Sequence, residues 1–142
     1  MGNSMSTNPN ITFEDVQSSI CEKDKTLIIN TLDAYMQGCL IAGTLAIDQE
    51  VEVLNAHMKN NIDVRIIIYG MNDTDKTVQK KYEQLIKLGF YNVYIFSGGI
   101  FQWLLLQDVY GNELFPTTSL KVDILKYKGR KQLNATLALS HF

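Results

Sequence analysis

The sequence predicts an α/β domain in three layers, a mostly parallel sheet of five strands with helices on both faces. Three observations carry this. "TLIIN" (26–30) and "VRIIIY" (64–69) are continuous apolar runs of strand length, the pattern of parallel strands buried on both faces. Stretches with helical periodicity alternate with such runs, and this alternation builds right-handed βαβ units. The 142 residues suffice for one domain with a real core and not for two comfortable ones.

The elements follow in order. Asn10 and Ile11 form a short first strand, and Thr12 with Asp15 resembles a capping box that opens a helix through about Ile20. "TLIIN" comes next, central in the sheet. "LIAGTLAI" (40–47) contributes a further extended piece broken at Gly43, after which Asp48 caps a helix with Val51, Leu54 and Met58 on its apolar face. "VRIIIY" is the clearest strand. The next helix spans about Asp75 to Leu88, with Val78, Tyr82, Leu85 and Ile86 on one face and Gly89 as its stop. "YNVYIFS" (91–97) is the following strand, ended by Gly98 and Gly99, and "IFQWLLLQDVY" (100–110) is a helix closed by Gly111.

Composition narrows the function classes. Lys and Arg number 13 against 15 Asp and Glu, a formal charge of -2 that argues against a general polyanion binder, so nucleic acid is not an expected partner. Cys21 and Cys39 make no CxxC pair and no zinc spacing, so neither a metal nor a disulfide framework is implied. "SGG" (97–99) is not a dinucleotide fingerprint, and no nucleotide cofactor is expected. No apolar run reaches the ~18 residues of a spanning helix and no signal-peptide core opens the chain, so a cytoplasmic location is expected.

The first residues, "MGNSMS", fit the N-myristoylation pattern M-G-x-x-x-[ST], with Gly2 as the acceptor amine and Ser6 at the favoured position. Residues 1–9 also read as a flexible polar leader, and the two readings are compatible. An acyl chain there would place the protein on the cytosolic face of a membrane. One myristoyl group gives only reversible binding of ~10⁴ M⁻¹, so a second signal is required. The only basic cluster, "LKYKGRK" (125–131), reads by itself as a solvated tail.

Between strand and helix, "IIIYGMNDTDK" (66–76) places a polar loop at the carboxyl end of a buried strand and at a helix N-terminus, where α/β sheets bind ligands and backbone amides converge on anions. This stretch, "LIAGTLAI" and above all "LIKLGFYNVYIFSGGIFQW" resemble the rhodanese-like family of single-domain sulfurtransferases and their phosphatase relatives. In the last stretch Leu85, Leu88, Gly89, Phe90, Asn92, Val93, Gly98, Gly99, Ile100 and Trp103 fall in register with the family pattern. The resemblance covers residues 10–111 and implies the rhodanese-like sandwich for them. Residues 112–142 are then a C-terminal extension that packs on the domain, with a disordered end.

The resemblance also implies where chemistry would sit. Family members carry a thiolate at the head of the loop that takes up sulfane sulfur, held by loop amides and the following helix dipole. Here the head is Gly70, which has no nucleophile, and Asp75 stands where the terminal basic residue would lie. The loop Gly70, Met71, Asn72, Asp73, Thr74 and Asp75 therefore reads as degenerate, with Asp75 as an N-cap that accepts the amides an oxyanion would otherwise take. Asn30, Thr31 and Leu32 replace a further family motif.

Three functions are compatible with this pattern. The first is a catalytically inactive interaction module with an unidentified protein partner, tethered through Gly2. Its interaction face would be Phe101, Trp103 and Leu105 on a helix that is apolar nearly all round, unless "FPTTSL" covers that helix. The second is an anion or small-ligand domain that keeps the amide cradle, with Asn72 and Thr74 as neutral donors. The third is a sulfurtransferase using a displaced thiol, Cys39. Cys21 reads as a small core hydrophobe, and His57 and His141 as structural or solvated.

Overall fold

In the computed structural model, which describes residues 8–120 and 123–133, the elements are β1 (Asn10–Ile11), α1 (Phe13–Ile20), β2 (Thr26–Asn30), α2 (Glu50–Asn60), β3 (Arg65–Tyr69), α3 (Thr77–Lys87), β4 (Val93–Phe96) and α4 (Gly99–Tyr110). Short 3₁₀ turns occupy Ala34–Met36 and Ile124–Tyr127. The sheet has the order β1-β4-β3-β2 and every pairing is parallel, with Ile67 of β3 opposite Ile28 and Tyr94.

The alternation of side chains along β3 divides the core. Ile67 and Tyr69 face α1 and α4 with Val16, Ile100, Trp103 and Leu104, whereas Ile66 and Ile68 face α2 and α3 with Leu54, Val78 and Leu85. Helices thus cover both faces, which is why β2 and β3 read as continuous apolar runs rather than alternating ones. α1 starts as its sequence requires, with the Thr12 amide donating to Asp15 Oδ2 at 3.0 Å.

Among the described residues the sheet has four strands, not the five expected from the sequence, and β2, expected at its centre, stands at its end. Residues 40–47 contribute only single bridges, Thr44 parallel to Ile28 and Ile41 antiparallel to Thr117. A tight turn explains this: Gly43 has φ 87°, and the Thr44 amide donates back to Ile41 O at 3.1 Å. The chain reverses where a strand would continue. Asp48 likewise lies in a turn before α2 rather than capping it, because the nominal cap is Gln49 and it makes no side-chain bond. Val51 is 70% exposed, leaving Leu54 as the buried anchor of α2 with Met58 packed beside it.

Tyr69 pins that turn from within the core. Its fully buried hydroxyl accepts the Ile41 amide at 3.1 Å and lies 2.8 Å from Thr44 Oγ1. Tyr69→Phe is expected to lower stability in urea by about 1–2 kcal/mol, since a buried amide and a hydroxyl lose their partner. Burial pushes the phenol well above its ordinary range. It therefore stays protonated in the fold while unfolded tyrosine ionises near pH ~10, so the associated stability is complete below that pH and is lost above it.

Candidate functional site

The carboxyl ends of the parallel strands gather the turn after β2, the loop after β3 and the start of α4. The loop runs from Gly70 to Lys76, and the side chains of Asn72, Thr74 and Asp75 are bound within the protein. Asp75 is the hub: its Oδ2 accepts the Met71 amide at 2.8 Å, and its Oδ1 accepts the Thr77 amide at 3.0 Å and the Thr77 hydroxyl at 2.6 Å. The carboxylate thereby serves the first turn of α3, where the helix dipole favours negative charge.

Asn72, a buried polar residue, is the second hub. Its Oδ1 accepts both the amide and the hydroxyl of Thr74, at 3.0 and 2.6 Å, and its Nδ2 donates to Tyr127 O at 2.8 Å. The neutral donors that an anion would use are thus already engaged. On the other side of the loop the α4 amides are answered as well, Ile100 N donating to Gly70 O at 3.0 Å and Phe101 N to Met71 O at 2.9 Å. Two helix N-termini point at the loop, and protein acceptors meet both.

Gly70 itself is sterically enclosed. A Cβ at this position would lie 2.5 Å from Asp75 Oδ2, 2.6 Å from Val78 Cγ2 and 2.9 Å from Thr31 Oγ1. The space that a side chain at the head of the loop would need is filled. The Thr31 and Thr77 hydroxyl oxygens lie 2.8 Å apart, and because the Thr77 proton goes to Asp75 it is Thr31 that donates, which ties the turn after β2 to the start of α3. The preceding Asn30 is buried and bonded to Leu32 N and to Gln37, so it acts inside its own turn.

The remaining candidates separate. Trp103, expected on an interaction face, is fully buried: its indole N–H donates to Pro116 O at 3.1 Å and its ring meets Phe115 edge-on at 5.1 Å. Residues 115–116 therefore cover one side of α4. Phe101 is half-buried against the same core, and only Leu105 of the three is exposed, in line with Val109 one turn on. Cys39 is buried with Sγ 3.2 Å from Ser119 O and lines neither cleft beside the loop, whereas Cys21, expected in the core, is exposed at the end of α1. Gly2 and His141 lie outside the described residues.

Two clefts flank the loop, of about 690 and 290 Å³. Lys76, Asp75 and Arg130 line both; Asp73 contributes to the larger and Lys128 to the smaller. Sequence reasoning missed Lys76, Lys128, Arg130 and Tyr127 at this site. No local signal marks them, because the last three come from a segment more than fifty residues beyond the loop. Among the described residues no helix is long and apolar enough to cross a membrane.

No protein-family model matches the sequence, and no curated protein does. Solved structures do. The crystal structure of the Alr3790 protein from Anabaena sp. superposes with a TM-score of 0.57 at 18% identity, over 82% of this chain and 97% of that one. The solution structure of the rhodanese-like domain of Alr3790 gives 0.55 at 19% identity, over 91% and 92%. A full-length protein from Lactobacillus plantarum gives 0.56 at 14% identity, over 79% and 88%. These likenesses show that the fold is the rhodanese-like one.

Proposed function

We propose that this rhodanese-fold domain is a non-catalytic protein-interaction module, tethered to a membrane by myristoylation of Gly2. One observation carries the non-catalytic part: the head of the loop is a glycine whose side-chain space holds the Asp75 carboxylate. Sulfur transfer needs a thiolate there, with loop amides free to hold the persulfide and its oxyanion donor. Here Asp75 takes the Met71 amide, and the side chains of Asn72 and Thr74 bond to Tyr127 and to each other. An amide cradle for a small anion is disfavoured by the same bonds. The buried setting of Cys39 gives no support to a displaced thiol.

The interaction reading draws its support from the outer face of α4. Val109 and Tyr110 are 71% and 61% exposed beside Leu105, an apolar strip at helical spacing.

Turnover of thiosulfate and cyanide tests the proposal. No rate above the uncatalysed one is expected at any enzyme concentration. A rate that Cys39→Ser abolishes would show a working thiol and end the non-catalytic reading.

A further inference from the structure

The first described residues and the basic segment meet at one cleft. Asn10, on the edge strand β1, lines the larger depression together with Arg130 and Gln132. The segment carries Lys126, Lys128, Arg130 and Lys131, all exposed, and no carboxylate lies between Ile124 and Leu133. Four of the chain's 13 Lys and Arg fall within these six residues. Among the described residues none of the four joins an ion pair, those found being Arg65 with Glu22 and Lys81 with Glu50.

The sequence alone makes this segment a solvated tail, but Tyr127 changes that. Its side chain is buried in the core shared with α1 and α4, and its carbonyl accepts the Asn72 side-chain amide at 2.8 Å. Gly129 rests against Thr74, to which an added Cβ would come within 3.3 Å. The cations are therefore mounted on the domain, and Leu125 and Leu133, 63% and 80% exposed, flank them.

We propose that residues 125–131 are a docking face for an anionic lipid surface, acting beside an acyl chain at Gly2 as the second membrane signal. The acyl part rests on the reading of Gly2 as an acceptor; the basic face does not. Geometry links the two. The six peptide steps from Asn8 back to Gly2 span at most about 20 Å, so an acyl group there stays within that reach of β1 and of the cleft that Arg130 lines.

Charge favours a membrane over nucleic acid. The chain is negative overall, so its remaining surface is acidic on balance. A flat bilayer touches the basic face alone, whereas a long polyanion also meets the acidic remainder. Asp73 borders the same cleft and offsets part of the attraction, whereas the Asp75 carboxylate is engaged by the Met71 and Thr77 amides. Each cation close to an anionic leaflet raises binding about five-fold, and one acyl chain alone supplies ~10⁴ M⁻¹.

Co-sedimentation of the full chain, with and without prior acylation, tests this on phosphatidylcholine vesicles with or without about one-third phosphatidylserine, at ~0.1 M salt. The unacylated chain is expected to bind only the phosphatidylserine vesicles. K126Q/K128Q/R130Q/K131Q, with unchanged circular dichroism, is expected to lower that binding about 600-fold, about five-fold for each of the four cations, and to leave the acylated chain's binding to pure phosphatidylcholine as it was. Equal binding of the parent and the quadruple variant to phosphatidylserine vesicles would overturn the docking face. So would tighter retention on duplex DNA than on those vesicles. If Gly2 takes no acyl group, the tether reading fails and the unacylated arm still decides the face. Sulfur-transfer activity would end the non-catalytic reading without touching either arm.

Discussion

Gly70→Cys is expected to destabilise the fold by about 3–5 kcal/mol and to confer no sulfur transfer. The new Cβ meets Val78 Cγ2 at 2.6 Å and Asp75 Oδ2 at 2.5 Å, and overpacking of this kind costs about 1–3 kcal/mol. Asp75 can swing away, being the end of a side chain, but it then releases the Met71 and Thr77 amides, and hydrogen bonds to a charged group are worth about 1.5–3 kcal/mol. The two costs are coupled through one carboxylate. In an Asp75→Ala background the same Gly70→Cys change should therefore cost only about 1–2 kcal/mol, a departure from additivity that a urea double-mutant cycle reads directly. Additive costs would mean that Asp75 does not occupy the head of the loop, and the account of the filled loop would fall. Restoring a nucleophile to this chain requires at least two changes.

The two apolar strands and the loop position were legible because local pattern carries them, although the place of β2 at the end of the sheet was not. Apolar runs of strand length at 26–30 and 64–69 mark β2 and β3, and Gly111, with φ 96°, ends α4 where the sequence places its stop. The fifth strand was not legible, since "LIAGTLAI" has strand composition and only the bonds among Ile41, Thr44 and Tyr69 turn it back on itself. Helical periodicity marked the apolar face of α4 and left two covers open, a partner or "FPTTSL"; Phe115 and Pro116 of that stretch enclose Trp103, so the second holds on that side.

At the site, the glycine head and the amide-accepting role of Asp75 were legible, and the filling of the space beside that glycine was not. The glycine at position 70 is a fact of the sequence, but that Asp75 fills its side-chain space depends on how the loop closes. Tyr127 reaches Asn72 across 55 residues, a distance at which no local pattern operates. The same gap hid the basic face, whose residues read as a tail until the buried Tyr127 fixed them to the domain.

Gly99→Ala is expected to cost about 3–5 kcal/mol, more than any other single methyl added to a glycine of α4 or its caps. Two penalties coincide there. Gly99 has φ 67°, a conformation that costs an L-residue about 1–2 kcal/mol, and its Cβ would lie 2.6 Å from Gly70 O and 2.9 Å from Asn72 N. These are backbone atoms of the loop, so relief requires α4 to lift away and break the bonds from Ile100 N to Gly70 O and from Phe101 N to Met71 O. The neighbouring glycines separate the two penalties. Gly111, at φ 96° and ψ 162°, holds an extended conformation that is essentially glycine's own, with nothing within 4 Å of an added Cβ, so Gly111→Ala measures backbone strain without contact, about 1–3 kcal/mol. Gly98 lies outside the left-handed region at φ -65°, but its Cβ would lie 2.7 Å from Gln102 Cβ, which the helix holds in place, so Gly98→Ala measures the overpacking without backbone strain, about 1–3 kcal/mol. Hydrogen exchange in the Gly99 variant should quicken at the Ile100 and Phe101 amides before the rest of α4, because those two lose their acceptors. If Gly99→Ala costs no more than Gly111→Ala, the loop is not seated on the helix start. The α4 dipole would then be free to meet an external anion, which is the condition that the filled loop denies.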